Sequence, residues 1–531
     1  MTDIDAAGRL HELTKHEPGR GRRAGLVEFR PLDPSNRPAP FKRYPGLATR
    51  PLPTDIGGSP ASALDVLSGR WDSPPGTVDA RSLARLLFFA AGVTRSAGSP
   101  ATGERTWFRA AMSAGNLHPV EVYAVCDDLP GVVAGVHHFA PLEFGLTPLR
   151  AGDVRPALAA AADAQIASTP CTLVLTGIPW RTAWKYGERG FRHLYWDCGT
   201  LLANLLSVAE SDGLAARVVV AFVDEDVAQV VGVDGVSEMP LALVLVGDRT
   251  QPSQATTVAV NPLDVDVEPL APQPMNFPLV VAAQAAGALP NAGAVTAWRN
   301  AARRIGEPAT TDVPRPEQGD GPSLEEVILR RGSTRLMHRT TVPHDVLAWG
   351  MAVASRPMAV DVGDDGTTLV HHDLTVHGVD GQQPGAYRWQ RGALTLLQSG
   401  DFRGEAQRLC LDQPLGGDAA FTAFHTCDVD EVLRILSSRG YRACQLEAGV
   451  AAGRLALAAF ALGYGATGLT FFDDEVARFF DTHAACMLVT SVGVPAYRST
   501  PGGLPGRARE LTGYDRLMQR LMFQLDRPRR T

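Results

Sequence analysis

The sequence predicts an α+β protein in which one unit occurs twice and the two copies pair with each other inside the chain. Three observations predict this. The chain has 531 residues, more than one ordinary hydrophobic core accommodates. A long stretch of it repeats without gaps. Within each repeat, runs rich in β-branched residues alternate with segments of helical apolar spacing, the pattern of a mixed sheet covered by helices.

The repeat is read before anything else, since missing it would misassign the fold. RGFRHLYWDCGTLLANLLSVAESDGLAARVVVAFVDEDVAQVV, from Arg189, aligns with RGYRACQLEAGVAAGRLALAAFALGYGATGLTFFDDEVARFF, from Arg439, at a constant offset of 250. Arg192 meets Arg442, Asp197 meets Glu447, Gly199 meets Gly449, Gly213 meets Gly463, Phe222 meets Phe472 and Asp224 meets Asp474. Upstream, GVHHFAPLEFGLTPLRAGD from Gly135 matches GAYRWQRGALTLLQSGD from Gly385, apart from a two-residue length difference.

The elements of the first copy follow in order. SALDVLSG and ARSLARLLFFAAGVT carry the apolar spacing of short helices. PVEVYAVCD and GVHHFAP read as a strand–turn–strand meander, and CTLVLTGIP as a further strand. LYWDCGTLLANLLSVAESDG is a long helix with Gly213 as its C-terminal stop. ARVVVAF, DEDVAQVVG and LALVLVG complete the unit as strand, helix and strand. The boundaries implied are an N-terminal extension over 1–60, copies over 61–250 and 321–500, a linker over 251–320 and a tail over 501–531. The linker is rich in Pro, Ala and Gly, so it is expected to be partly extended, with one helix near AVTAWRNAARRI. Its length suits two copies that fold back on each other.

Composition narrows the function. Fifty basic and 57 acidic residues give a net charge of −7, which predicts no nucleic-acid groove. The seven cysteines are dispersed with no Cys-x-x-Cys pair, a pattern of reduced thiols in a cytoplasmic protein and not of a disulfide frame or a metal site. The start lacks the apolar stretch of a signal peptide, and no run is long and apolar enough to span a membrane.

Three short stretches could carry chemistry. In SLEEVILRRGSTRLMHR, Ser323 and Glu326 have capping-box spacing, so a helix begins there. At its end Arg330, Arg331, Ser333 and Arg335 place three guanidiniums and a hydroxyl within six residues, which suits a phosphate monoester; a solvated basic helix end would look the same. Ser113-Ala114-Gly115-Asn116, just before a strand, is a small-residue turn that lets backbone approach a planar ligand, or else a surface turn. Lys185 and Tyr186, in WRTAWKYGERGFRH, could supply a general base or proton relay if burial lowers the lysine pKa; a solvated surface loop is the other reading.

Taken together these stretches resemble the SagB/ThcOx-type dehydrogenases, an FMN-dependent branch of the nitroreductase superfamily that oxidises azolines to azoles in modified peptides. The resemblance runs through HELTKHEP, APFKRYPGLATRPLP, SAGNLHPVEVY, GVHHFAP, WKYGERGFRH and AFVDEDVAQVVGVDG…EMPLALVLVGD in the first half, and through RRGSTR and the 439–493 repeat in the second. It implies two nitroreductase-like units forming an intrachain pseudo-dimer. It assigns the FMN phosphate to Arg331, Ser333 and Arg335 with Arg330 close by, and the ring to Ser113, Ala114, Gly115 and Asn116 with Arg109. Backbone at Gly468 and Leu469 would lie against the ring. Lys185 and Tyr186 match the family's catalytic pair, one of them taking the proton alpha to the carbonyl while a hydride leaves the neighbouring carbon; molecular oxygen is the final acceptor. The implied partners are a peptide or peptide-like substrate and a cyclodehydratase, with no nucleic acid and no membrane, and the chain is expected as a monomeric pseudo-dimer or a homodimer. A flavin oxidase acting on another peptide-like intermediate, an NAD(P)H-dependent nitro- or ene-reductase and a flavin-free scaffold are the alternatives. In superfamily members the cofactor lies between subunits. Here Gly69, Asp72 and Pro74 stand where the second copy has Arg330, Ser333 and Arg335, while Ile435-Leu436 stand where the first has Lys185-Tyr186. One FMN per chain, between the copies, is therefore expected.

Overall fold

The computed structural model describes residues 4–18, 32–98, 103–248, 260–310, 312–317, 319–363 and 366–513. Two large sheets organise it. In the first the strand order is Arg50–Pro51, Gly145–Ala151, Gly135–Ala140, Val120–Cys126, Cys171–Gly177, Met239–Val246, Ala216–Val219. In the second, Ala393–Ser399, Gly385–Gln390, His371–Val376, Phe421–Cys427 and Ala485–Pro495 run in the equivalent order, and Gly465–Leu469 pairs with Ala485–Pro495. Register repeats as well as order: Cys126 faces Cys171 in the first sheet and Val376 faces Phe421 in the second, each pair 250 residues from its counterpart. The ladders of both sheets are antiparallel. Parallel pairing enters at the edges, where Val218 bridges Val360 and Ser333 bridges Ala466. Cys171–Gly177 and Phe421–Cys427 are buried along their whole length, as strands covered on both faces must be.

The units meet along two long helices, Gly190–Ser211 and Val429–Ala461. Their contact is closest at Gly199 and Gly449. A Cβ on Gly199 would overlap the Leu446 carbonyl, and one on Gly449 the Trp196 carbonyl, so only hydrogen fits where the two backbones cross. The helix Pro179–Tyr186 precedes Gly190–Ser211 as its counterpart, residues 429–436, precedes the rest of the second long helix. The break between the two parts falls at Gly187 (φ 58°) in one unit and at Ser437 (φ 56°) in the other, again 250 apart.

Buried ion pairs lock the crossing on both sides. Arg189 and Arg192 of the first unit hold Asp473 at 2.9 and 2.6 Å, and Arg439 and Arg442 of the second hold Asp224 at 2.6 and 2.8 Å. The acid used in the second unit is Asp473, not the aligned Asp474, because the helix Asp473–Phe479 begins one residue earlier in register than Asp224–Val231.

The inter-unit stretch carries two helices, Pro278–Ala286 and Ala292–Ala302, where one was expected. Both pack into the interface. Gln284 accepts from Tyr195 Oη at 2.8 Å, and Trp298 Nε1 donates to the Leu436 carbonyl at 3.0 Å. The N-terminal helix Ile4–Leu13 joins them: His11 Nδ1 lies 3.1 Å from Tyr441 Oη, and Arg192 donates to the His11 carbonyl. All seven cysteines are free and buried, and no helix among the described residues is long and apolar enough to cross a membrane.

Candidate active site

The turn Ser113–Asn116 leads into the strand Val120–Cys126 and is a short 3-10 turn bent by positive φ at Gly115 (63°), Asn116 (59°) and His118 (46°). The long helix beneath holds it. Asp197 accepts from Ser113 Oγ at 2.5 Å and from Ala114 N at 3.0 Å, and Thr200 Oγ1, one turn further on, donates to the Met112 carbonyl at 2.7 Å. Ser113 Oγ also accepts from His118 N at 2.8 Å. The Asn116 side chain bonds the Trp107 carbonyl and His118 and keeps a second amide hydrogen beyond those two contacts.

Gly115 is pressed against the Lys-Tyr pair. A Cβ there would lie 2.8 Å from Tyr186 Oη and 3.0 Å from Lys185 Nζ, so two motifs seventy residues apart in the chain converge where only glycine fits. Both residues close the last turn of Pro179–Tyr186. Tyr186 stacks on His193 at 4.1 Å between ring centroids, and His193 leans on Trp196. Burial and the neighbouring Asp197 carboxyl push the Tyr186 phenol well up, with Arg335 opposing them. Burial lowers His193 to about 3, so a neutral imidazole lies beneath the phenol. Lys185 itself is exposed, so the burial on which its role as base was conditioned is absent around it.

The second unit supplies the basic loop. The helix Leu324–Arg330 begins on the Ser323–Glu326 capping box expected from the sequence. Arg330 and Arg335 are exposed, Ser333 half-buried and Arg331 buried. Arg331 Nη2 donates at 2.6 Å to the carbonyl of Ala110, in the segment that leads from Arg109 to Ser113. Its Nε has no partner, and burial together with Arg95 lowers the guanidinium to about 9. No acid is among the groups acting on it. A buried cation in that condition is a built place for an anion. Ser333 bridges Ala466, so the loop lies along the strand Gly465–Leu469, where Leu469 is buried and Gly468 is exposed, with room for a Cβ in ordinary contact with the Val489 carbonyl. Tyr497 ties the loop down, its hydroxyl 3.0 Å from Arg335 N.

A small cavity of about 20 Å³ sits behind the turn, lined by Arg109, Ser113, His118, Asp197 and Leu201 among others. The Arg109 guanidinium is turned to the Pro40 and Val120 carbonyls. Asp197, buried and without a cation partner, has its carboxyl pushed up to about 7 by that burial. Asp197, Thr200 and Tyr497 were not singled out from the sequence. Only Asp197 left a trace there, as an acid repeated at Glu447.

The related place in the second unit is different. Its cavity is slightly larger, about 30 Å³, and Glu447 there bonds the Thr368 hydroxyl and the backbone N–H groups of Leu369 and Val370, as Asp197 does its own turn. The larger void is the less suited to this chemistry. Ile435 and Leu436 replace the Lys-Tyr pair, and Leu436 is buried beneath Trp298. Where the first copy has lost its basic cradle, Arg356 fills the space: a Cβ on Gly69 would lie 2.5 Å from its guanidinium, which pairs with Glu210 at 2.9 Å.

Residues 77–248, in the first unit, match the model of the nitroreductase family. A protein of Methanocaldococcus jannaschii assigned to the nitroreductases is 32% identical over 173 residues, which cover 32% of this chain and 81% of that protein. The microcin B17-processing protein McbC of Escherichia coli is 27% identical over 143 residues, 26% of this chain and 53% of that one. Among solved structures, a protein of Anabaena variabilis assigned as a nitroreductase superposes with a TM-score of 0.69 at 25% identity, over 92% of this chain and 99% of its own. The two-unit architecture as a whole therefore recurs in another protein.

Proposed function

Because the chain belongs to the nitroreductase family, we propose that it is an FMN-dependent dehydrogenase or oxidase that aromatises thiazoline or oxazoline rings of a modified peptide, with O2 as acceptor. The observation that carries this reading is the convergence of Lys185 and Tyr186 of one unit on Gly115, with Arg331 of the other unit bonded to Ala110 a few residues away. Each half of the site comes from a different unit.

The residues present fit FMN. Arg331 has a buried, unpartnered Nε and no acid beside it, and Arg330, Ser333 and Arg335 add exposed donors for a phosphate. Gly468 leaves exposed backbone for a planar ring, and Gly115 brings its backbone against the Lys-Tyr pair. Bound there, FMN would supply the two-electron chemistry, and the protein's part would be orientation and proton transfer. The Tyr186 phenol, held protonated by burial, is suited to donate a hydrogen bond, so removal of the substrate proton falls to Lys185, whose exposed ammonium the bound cofactor and substrate would first have to cover and so deprotonate. The azoline gives up two electrons and two protons, which O2 takes up as hydrogen peroxide.

The similarity to McbC, whose name places it in microcin B17 processing, supports a peptide substrate. The similarity to the M. jannaschii protein favours a second reading, an NAD(P)H-dependent nitroreductase. The visible spectrum of the purified protein, with the released cofactor counted per chain, tests the first claim. One FMN per chain is expected, since Arg356 and Glu210 fill the second cradle. Two per chain, or none after adding FMN, would overturn it. Azoline peptide with O2, set against NAD(P)H with a nitroaromatic, then separates the two activities.

A further inference from the structure

We propose that the hydrogen bond between Ser113 and Asp197 is a proton-position switch: with a proton on Asp197 the Ser113 hydroxyl hydrogen is free to bond the ligand, and without it that hydrogen is held by the carboxylate. The proposal rests on the reading of this site as the FMN site and makes Asp197 a positioning residue for it.

The argument is one of donors and acceptors. Ser113 Oγ accepts from His118 N at 2.8 Å and lies 2.5 Å from Asp197 Oδ2, while Asp197 Oδ1 accepts from Ala114 N at 3.0 Å. An ionised carboxylate offers acceptors alone, so the single Ser113 hydrogen must then point at Asp197. With Oδ2 protonated, the same contact is made with the carboxyl as donor. Ser113 Oγ then accepts twice, from Asp197 and from His118, and its own hydrogen is released from the carboxyl for a ligand seated on the turn. Oδ1 keeps Ala114 in either state, so the turn stays in place while its hydrogen-bonding character changes.

The surroundings allow the proton to be exchanged near neutrality. Burial is what raises Asp197, to about 7, and only the bonds from Ser113 and Ala114 oppose it. The charged and titratable groups around it come from several elements. Arg109 and His118 share the cavity wall, and burial and nearby arginines keep His118 neutral. Tyr186 faces it from the helix Pro179–Tyr186, with Lys185 and Arg335 beyond, and Cys198 adjoins it on its own helix. The second unit supplies an internal comparison. Glu447 holds its turn through a hydroxyl and two backbone N–H groups in the same way, but no Lys-Tyr pair faces it.

FMN added to the apoprotein is the probe, followed by quenching of its fluorescence across neutral pH. Asp197→Asn locks the protonated arrangement, since its amide NH2 donates to Ser113 while its oxygen still accepts from Ala114. The wild type is expected to lose roughly 3- to 10-fold in affinity as pH rises through about 7, the worth of one hydrogen bond. Asp197→Asn is expected to stay at the tighter value, apart from titration of the FMN phosphate, which all variants share. Ser113→Ala is expected to bind weakly without the Asp197-dependent component, and Glu447→Gln to follow the wild type. Denaturant unfolding of the apoprotein gives a readout independent of the ligand. A raised carboxyl makes the wild type lose stability as pH rises from the usual 3.8 to about 7, and Asp197→Asn abolishes that slope. An Asp197→Asn protein that keeps the wild-type pH dependence, or that is fixed at the weaker affinity, would overturn the switch. If no variant binds FMN at any pH, the FMN reading falls, and the unfolding slope alone still decides whether Asp197 holds the proton.

Discussion

At the scale of single residues, Lys185 and Ser437 show how the two copies diverged. Lys185 lies over the Tyr186 ring, 5.3 Å from its centroid, at an exposed position outside the hydrophobic core. Lys185→Ala should therefore keep the bound yellow cofactor and the melting temperature while turnover falls by roughly 100-fold or more, the weight of a general base. Retained turnover would remove Lys185 from the chemistry. Ser437 carries the opposite lesson. The break between the two parts of its long helix needs φ near +56° and ψ near −163°, a conformation that glycine supplies at Gly187 and that serine adopts only under strain. Ser437→Gly should raise stability by about 1 kcal/mol in denaturant unfolding, because the strain relieved exceeds the added chain entropy. No gain would mean that the surrounding packing, not the backbone, sets the break.

Among the elements, the helix crossing was legible in the sequence and the inter-unit helices were not. Gly199 and Gly449 stood out because the gap-free repeat put glycine at both places, and glycine conserved within a chain at matched positions is where backbones meet. The Ser323–Glu326 box announced its helix for the same local reason: a cap is written within four residues. Pro278–Ala286 escaped because its PLVVAAQAA is apolar on every side, so no period separates an inner face from an outer one, and the Pro and Ala around it read as linker. It is helical because Val280, Ala283 and Gln284, one helical face, are buried against the N-terminal helix and both units. The sealing of the second cradle was equally unreadable, since Arg356 and Glu210 lie 146 residues apart and neither belongs to a motif. The crossing gives the element-scale prediction. Gly449→Ala would set a methyl group into the Trp196 carbonyl, and rigid backbone on both sides leaves little room to relax. A loss of about 3 kcal/mol is expected from overpacking of this kind. A stability within experimental error of the wild type would mean that the helices slide apart at no cost.

For the whole molecule, the proposed function depends on the units staying docked, because the basic loop and the Lys-Tyr pair come from opposite sides of the interface. The Arg189–Arg192–Asp473 and Arg439–Arg442–Asp224 clusters make that docking sensitive to acid. Burial alone would raise Asp473, but Arg189 and Arg192 overcome it and hold the carboxyl well below the usual range; Arg439 and Arg442 do the same for Asp224. A depressed carboxyl contributes stability that is complete above its unfolded value of 3.8 and is lost as pH falls below it. The unfolding midpoint of the wild type should therefore drop steeply once pH falls through about 4, with bound FMN released in the same range, since separating the units splits its site. Asp473→Asn strands two buried guanidiniums and should cost about 3–5 kcal/mol at neutral pH, while flattening the acid limb. A variant that keeps wild-type stability at neutral pH would show that the clusters orient the units without holding them. An unchanged acid limb beside a large neutral-pH loss would place the acid sensitivity at Asp224 alone.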